Sequence, residues 1–374
     1  MSKRLLTTQL VPGMIVAEDL FDLNNRLLLP KGAVLTDAII STFSIHGVFN
    51  VLVSMPKKPV APKAAPAPAT VVAKAPAVPA HGFATHYERV RESKEFKKFH
   101  QDYDNNINTF KQYIKLVLSG KASLDAGSLY NNTIAQLSNL PNGTNLFDLL
   151  QNMRDYDDSV FAHSLNVSLI CRILAQWMKL SDSEVELAAT CGLLHDIGKL
   201  NIPAEILTKP GKLTPAEFQT IKKHTVFGYQ TLLHNNIDHD ICEAALMHHE
   251  RCDGSGYPLR SKADEINFYA KLVAIADVYD AMTTARVYRG PLCPFQVIDL
   301  FTHEGLQKYD PDMIMTFLEH IVTTYVSNAC TLSDGREGTI VFINKDDLAH
   351  PIVQIGNSCV NLSRAQGLEI VNLI

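Results

Sequence analysis

Apolar residues recur at helical spacing from about residue 141 to residue 325. Spacings of three and four residues are typical of helices that bury one face, and no period-2 alternation of any length interrupts this stretch. The pattern therefore predicts an all-α bundle, with helices over residues 160–178, 182–194, 214–233, 239–249, 267–284, 294–302 and 311–325. Two helices begin with capping signals: Ser181 or Asp182 for one, and Thr214 followed by Pro215 and Glu217 for another.

Short apolar runs separated by turn residues replace the helical pattern at both ends of the chain. These runs lie at 27–29, 48–53, 338–343, 352–355 and 368–373. One short helix is also predicted over 36–46. The fold class is therefore expected to be mainly α, with a small β-rich unit over 1–55 and a short β extension over 331–374.

Two further segments separate the β-rich unit from the bundle, which is assigned to 141–330. Residues 56–80 hold seven Pro, nine Ala, four Lys and no acidic residue, a composition that predicts a flexible linker, extending to about residue 85. Residues 86–140 are helical in pattern, with Phe110, Ile114 and Val117 at helical spacing. This segment is either a dimerising helix or a lead-in helix of the bundle, and a homodimer is one expectation.

Composition narrows the class of protein. The net charge is −5, from 34 basic and 39 acidic residues, which argues against a general nucleic-acid coat or a membrane-surface protein. The seven cysteines include no CxxC pair, so a disulfide framework is not expected. No run approaches the 18 or so apolar residues of a membrane span, and the N-terminus lacks the apolar core of a signal peptide. We expect a cytoplasmic protein.

Seven residues of metal-ligand type recur through the predicted bundle, each where a helix could present it inward. They are His163, the adjacent pair His195 and Asp196, His224, the adjacent pair His248 and His249, and Asp277. Seven groups are too many for one tetrahedral ion, but they suit two ions that share a bridging carboxylate. Two such ions are the usual apparatus for phosphate-ester hydrolysis. Taken singly, each could be an ordinary hydrogen-bonded residue, and Asp277 could pair with Arg286 or Lys271.

The segment from His248 to Pro258 reads HHERCDGSGYP. Its glycines permit unusual backbone angles and its proline restricts them, so it predicts a loop that starts on two candidate ligands. A plain helix-ending turn would explain the glycines but not the whole string.

These strings resemble the HD-GYP domains, a branch of the HD phosphohydrolases that cleave bacterial cyclic di-GMP. The resemblance covers roughly residues 155–325 and rests on HDIGK at 195–199, HHERCDGSGYP at 248–258, HSLNV at 163–167, KPGKLTPAEF at 209–218, KKHTVFG at 222–228 and IADVYDAMTTARVYR at 275–289. The N-terminal QLVPGMIVAEDLFDLNNRLLLPKGAVLT also resembles the accessory unit that often precedes these domains. The expected fold is thus an HD-type helical bundle.

The resemblance implies a role for each matching residue. One metal would be held by His163, His195, Asp196 and Asp277, and the other by Asp196, His224, His248 and His249. A bridging water or hydroxide would be the nucleophile. Lys199 would contact the scissile phosphate, Arg286 and Arg289 would bind substrate phosphates, and Gly256, Tyr257 and Pro258 would form a loop near substrate. In the family, that loop also contacts diguanylate cyclase (GGDEF) domains.

The chain departs from the family pattern at two positions. Some members carry a Glu four residues before the first His and bind a third metal, but that position is Ser159 here. Asp157 or Asp158 could in principle substitute, but a shift of one residue along a helix would rotate each of them off that face. We therefore expect two divalent ions, iron or manganese, rather than three. Cys252 replaces an aromatic residue that is common in the loop, which changes the packing beside the site.

The resemblance implies hydrolysis of cyclic di-GMP to linear pGpG, with further cleavage to GMP left open. Such an activity would favour motility over biofilm. Two alternatives remain: an HD phosphohydrolase that acts on another cyclic dinucleotide or a nucleotide monoester, and a catalytically silent cyclic di-GMP receptor. A purely structural helical protein would leave the paired histidines unexplained.

Overall fold

A computed structural model describes residues 2–6, 10, 14–18, 20–21, 27–29, 31–35, 50–54, 86–137, 146–153, 160–209, 211–284 and 292–374. The chain divides into two compact units, residues 1–80 and residues 81–374. The fold is mainly helical, with small sheets in both terminal parts of the chain, so the predicted fold class is confirmed. The finer division into five segments stays a prediction.

The first unit is built from short strands that are formed by apolar runs of the sequence. Its described strands are β1 (Ser2–Leu6), β2 (Ile15–Val16), β3 (Leu20–Phe21), β4 (Leu27–Leu29) and β5 (Asn50–Ser54). Strand β5 pairs antiparallel with β1 and β2, and β3 pairs with β4. Its core includes Val16, Val51 and Val53. The predicted helix over 36–46 and the predicted linker lie outside the described residues.

The second unit begins with helices that pack onto the bundle. They are α1 (His86–Glu92), α2 (Lys94–Leu118), α3 (Ala126–Leu137) and α4 (Leu146–Met153). The apolar face of α2 is buried, including Phe110, Ile114 and Val117. The hydroxyl of Tyr103 on the same face donates to Asn166 Oδ1 over 2.6 Å. This face of α2 is therefore buried within the chain, and the role of α2 as a lead-in helix stays a prediction.

The bundle itself continues through a series of helices that follow the predicted periodicity closely. They are α5 (Val160–Trp177), α6 (Asp182–Leu194), α7 (Ala204–Leu207), α8 (Pro215–Lys222), α9 (His224–His234), α10 (His239–Met247), α11 (Phe268–Thr283), α12 (Pro294–Leu300), α13 (Leu306–Lys308) and α14 (Pro311–Thr324). Ser181 and Thr214 both form the capping boxes that their sequences predict. Helices α5 and α6 approach closely at Gly192, where a Cβ would lie 2.9 Å from the Cα of Ser168.

Two helix predictions were wrong in detail. The helix predicted over 214–233 is broken at Lys223, whose N–H bonds back to Thr220 in a tight turn, and a new helix begins at His224. The helix predicted over 294–302 ends at Leu300 and passes into a π-helical turn, Phe301–Gly305. Apolar spacing continues across both changes, so the sequence pattern carries no sign of them.

The chain ends in an antiparallel sheet in the order β10-β6-β7-β8-β9. Its strands are β6 (Ala329–Leu332), β7 (Glu337–Phe342), β8 (Ile352–Ile355), β9 (Ser358–Asn361) and β10 (Ile370–Leu373). Strands β7, β8 and β10 coincide with predicted runs, whereas β6 and β9 were not predicted. Among the described helices, none has both the length and the apolar character needed to cross a bilayer.

Candidate metal centre

The structure brings all seven predicted ligand residues into one cluster. His163 lies on α5, His195 and Asp196 follow the end of α6, and His224 is the first residue of α9. His248 and His249 follow α10, and Asp277 lies in α11. The cluster is buried, with only His163 and His249 partly exposed. Three overlapping sets have ligand atoms within 4.8 Å of one another: His163 with His195 and Asp277, His195 with Asp196 and His248, and His224 with His248 and His249.

Asp196 lies between two groups of imidazoles. Its Oδ2 atom is 3.2 Å from His195 Nε2 and 3.7 Å from His163 Nε2. Its Oδ1 atom is 3.3 Å from His224 Nε2 and 3.8 Å from His248 Nε2. The two oxygens of one carboxylate therefore face different sets of nitrogens. This is the arrangement that a bridging ligand between two cations requires.

Two atoms of this cluster are buried without a hydrogen-bond partner, His195 Nε2 and Asp196 Oδ1. A buried polar atom that lacks a partner costs about 1–3 kcal/mol, more when the group is charged. Cations held on the two sides of Asp196 would give each of these atoms a partner, because imidazole nitrogen and carboxylate oxygen are ordinary ligands of divalent metals. The residues present thus fit metal ions.

Backbone carbonyls orient three of the imidazoles. The Nδ1 atom of His195 lies 2.7 Å from Gly192 O, that of His224 lies 2.7 Å from Ile221 O, and that of His248 lies 3.1 Å from Ala244 O. A carbonyl oxygen can only accept, so Nδ1 carries the proton in each ring. The lone pair of each neutral ring is then on Nε2, the atom that faces Asp196.

The electrostatics favour neutral rings at His248 and His249, beside charged carboxylates. Burial lowers the pKa of His248 well below its usual value, and lowers the pKa of His249 to about 3. Burial alone would raise the pKa of Asp196, but the charges of Lys199 and the neighbouring histidines lower it well below its usual value. The pKa of Asp277 is lowered likewise, mainly by its hydrogen bond with His163, against the effect of burial. Neutral imidazoles and ionised carboxylates are the protonation states that bind metal.

Lys199 lies at the edge of this cluster. It belongs to a 3₁₀ turn, Ile197–Asn201, that directly follows the His195–Asp196 pair. Its ammonium donates to Asp196 Oδ2 and is partly exposed. The side chain therefore contacts the Asp196 carboxylate and also reaches solvent.

The predicted loop packs directly on a predicted ligand. The ring of Tyr257 stacks on the ring of His249, with centroids 4.7 Å apart. Gly256 lets the loop approach the chain behind it, since a Cβ there would lie 2.5 Å from the backbone nitrogen of Arg251 and still closer to the Cα of Glu250. No side chain larger than hydrogen fits this position without a backbone shift.

Comparison with known proteins agrees with this geometry. Residues 147–313 match a family described as "HD domain". The chain contains an HD domain. It is 33% identical over 207 residues to a cyclic di-GMP phosphodiesterase of Pseudomonas aeruginosa, covering 55% of this chain and 50% of that protein. It is 37% identical over 180 residues to a cyclic di-GMP phosphodiesterase of Thermotoga maritima, covering 46% and 48% of the two chains.

The name of a further relative specifies a different substrate. The chain is 41% identical over 144 residues to 3′3′-cGAMP-specific phosphodiesterase 1 of Vibrio cholerae, covering 38% of this chain and 33% of that protein. The chain thus spans half or less of the length of these relatives.

Two carboxylates that support the site of the HD domain were not predicted. Asp280 Oδ2 lies 2.7 Å from His163 Nδ1, on the same face of α11 as Asp277 and three residues away from it. Glu250 is buried and accepts backbone N–H groups from Leu259, Arg260 and Ser261 over 2.6, 3.1 and 3.0 Å. Two features of the sequence could have indicated them. Asp280 lies three residues after Asp277, and Glu250 directly follows the His248-His249 pair.

Several predicted residues of the HD domain lie outside the described residues: Arg286, Arg289, Ser159, Asp157 and Asp158. Their roles stay predictions. Lys271, one alternative partner of Asp277, instead pairs with Asp310 over 3.4 Å. Cys252 packs beside a small apolar cluster formed by Met247, Ile266 and Ala270, so it fills space next to the loop.

Proposed function

We propose that the HD domain is a metal-dependent phosphodiesterase that hydrolyses cyclic di-GMP to linear pGpG. The observation that carries this proposal is the position of Asp196, a buried carboxylate whose two oxygens face separate groups of histidine Nε2 atoms. Two relatives that share a third or more of their aligned residues with this chain are named cyclic di-GMP phosphodiesterases. Further cleavage of pGpG to GMP remains open.

The proposed ligands divide around Asp196. His163, His195 and Asp277 join it on the Oδ2 side, and His224, His248 and His249 join it on the Oδ1 side. Iron or manganese suits a mixed set of imidazoles and carboxylates. When bound, two such ions would stabilise the charge that develops on the phosphate oxygens and would activate a water molecule for attack.

The remaining proposed roles belong to side chains around the centre. Lys199, whose ammonium contacts Asp196, is placed to donate to a phosphate oxygen or to the leaving oxygen. Arg286 and Arg289 are proposed to bind substrate phosphates, because a guanidinium can donate two parallel hydrogen bonds to phosphate. Gly256, Tyr257 and Pro258 are proposed to border the substrate, since Tyr257 stacks on His249.

The wider setting is part of the same proposal. An enzyme of this kind would act in the cytoplasm, lower the messenger level and favour motility over biofilm. Its loop at Gly256–Pro258 is proposed to contact diguanylate cyclase domains, and the chain is proposed to form a homodimer.

A second candidate is hydrolysis of another cyclic dinucleotide, which the relative named as 3′3′-cGAMP-specific supports. The chemistry at phosphorus would be the same, so the metal centre does not distinguish the two substrates. Discrimination would depend on contacts to the bases. A silent receptor is the less favoured alternative, because the predicted ligand residues and Lys199 are all present and clustered.

Turnover measurements test these alternatives. Protein purified anaerobically with Fe(II) or Mn(II) would be assayed against cyclic di-GMP and 3′3′-cGAMP, beside an Asp196→Ala control. We expect hydrolysis of cyclic di-GMP by the wild type and none by the control. Faster hydrolysis of 3′3′-cGAMP would favour the second candidate. Binding of cyclic di-GMP without turnover, by protein holding two metals per chain, would favour the receptor.

A further inference from the structure

A cleft with a volume of about 510 Å³ adjoins the candidate metal centre. One wall comes from α8 and the start of α9, and the other is the loop from Gly254 to Arg260. Small-molecule sites have volumes of about 300–1,000 Å³, so the cleft could accept part of a nucleotide. None of the seven proposed metal ligands lines it, and the roles proposed above leave most of its residues unused.

The charge of this cleft is uniformly positive. Its charged lining residues are Lys222, Lys223 and Arg260, and its other lining residues include no carboxylate. None of the ion pairs formed among the described residues involves these three side chains. Lys222 instead rests over aromatic rings, with its ammonium 4.9 Å from the ring centre of Phe218 and 4.7 Å from that of Tyr257. Such a cleft suits an anion.

Tyr257 connects this cleft to the metal centre. Its ring lines the cleft and contacts the ammonium of Lys222, and it also stacks on His249. The cleft and the proposed metal ligands are therefore separated by the thickness of one aromatic side chain. A ligand that carries two phosphates could place one at the metals and the other in the cleft.

Arg260 has a backbone conformation that glycine would adopt more readily. Its φ is +60°, in the left-handed region, where a residue with a Cβ is disfavoured. The carboxylate of Glu250 holds this conformation by accepting the N–H of Arg260 over 3.1 Å. A strained residue that the surrounding structure holds in place, and that lines a cleft, suggests a function for that residue.

On the basis of the proposed function, we propose that this cleft binds the phosphate of the cyclic dinucleotide that is not being cleaved. The guanidinium of Arg260 donates to its oxygens, because its planar fork matches phosphate, and Lys223 adds positive charge. Arg260 is then a specificity-determining residue that favours cyclic dinucleotides over phosphodiesters with a single phosphate.

The test uses the full chain with the Arg260→Gly substitution. Glycine keeps the N–H that Glu250 accepts and relieves the left-handed φ, so the variant should melt at the same temperature as the wild type or higher. We expect KM for cyclic di-GMP to rise about tenfold with kcat nearly unchanged, since a charge-assisted contact is lost. Turnover of bis(p-nitrophenyl) phosphate, which has one phosphate, should not change. Lys345→Gln, at an exposed site in the C-terminal part, controls for loss of one positive charge.

Calorimetric titration of the metal-free protein with cyclic di-GMP measures binding without turnover. We expect Arg260→Gly to weaken this binding about tenfold. If Arg260→Gly changed neither KM nor the affinity for cyclic di-GMP, the proposed subsite would be wrong. The positively charged cleft would then suit an acidic protein partner instead. An equal loss of turnover on both substrates would also overturn it, since the effect would then be on the metal centre. A wild type that binds cyclic di-GMP but cleaves neither substrate would contradict the proposed function alone, and the calorimetry would still decide the subsite.

Discussion

His163 Nδ1 and Asp280 Oδ2 lie 2.7 Å apart, although 117 positions of sequence separate the two residues. The other oxygen of Asp280 accepts from the amide of Asn166 over 3.0 Å. This pair turns the Nε2 atom of His163 toward Asp277, 3.0 Å away. Asp280 is therefore a positioning residue, because it orients a proposed ligand without belonging to the ligand set.

Replacing Asp280 with Asn should weaken metal binding. A carboxylate that holds a ligating histidine typically contributes about 10- to 100-fold in metal affinity, and we expect a loss in that range. Titration of the metal-free protein with Mn(II), in competition with a chelating dye, would measure it. Asp346→Asn, an exposed residue of the C-terminal part, is the matched control. An affinity equal to that of the wild type would show that Asp280 does not position His163.

Metal binding should release protons at neutral pH. Burial alone would lower the pKa of His163, but its hydrogen bonds with Asp277 and Asp280 raise it to about 9 in the metal-free protein. A ligand must give up its metal-binding proton, so metal affinity should rise with pH up to about 9 and level off above it. Near pH 7 this residue should contribute about one released proton.

Calorimetric titrations in buffers of different ionisation enthalpy would count the protons released. Asp280→Asn should reduce the count at pH 8, because one of the groups that raise the pKa of His163 is removed. Metal affinity that does not change between pH 6 and pH 9 would contradict the prediction.

Gly256→Ala should disturb the loop beside the metal centre. The added methyl group would collide with the backbone of Glu250 and Arg251, which cannot yield as a side chain can. Overpacking of this kind costs about 1–3 kcal/mol of unfolding free energy. We also expect a higher KM, because Tyr257 would shift on His249.

Thermal unfolding and steady-state kinetics would measure both effects. The same substitution at Gly127 is the control, since a Cβ there meets nothing closer than 3.6 Å. Equal melting temperatures for Gly256→Ala and the wild type would show that the loop adapts without strain.

Lys199→Met should lower kcat while both metals remain bound. Removing one charge-stabilising donor from an active site typically lowers kcat by about 100- to 1,000-fold. Metal content by elemental analysis, measured beside kcat, separates this role from a ligand role. If the variant lost metal in proportion to its activity, Lys199 would instead act through Asp196, which its ammonium contacts.

Local sequence information was enough for the elements that carry the site. The apolar spacing predicted α6 with its bounds unchanged, and the capping residues Ser181 and Thr214 begin the helices they were expected to begin. These features depend on contacts within four residues of one another, which a sequence displays directly. Where local geometry changed without a change in apolar spacing, as at Lys223, the prediction was wrong.

By itself, the sequence determined the identity of the seven clustered residues and the helices or helix ends that hold them. Tertiary structure alone decided how they meet: which oxygen of Asp196 faces which histidines, and that Asp280 orients His163. It also decided that Glu250 holds the backbone of the loop, and that a positively charged cleft lies behind Tyr257. The physical reason is distance along the chain. Helix periodicity and caps are short-range, whereas these partners meet only when separate elements pack together.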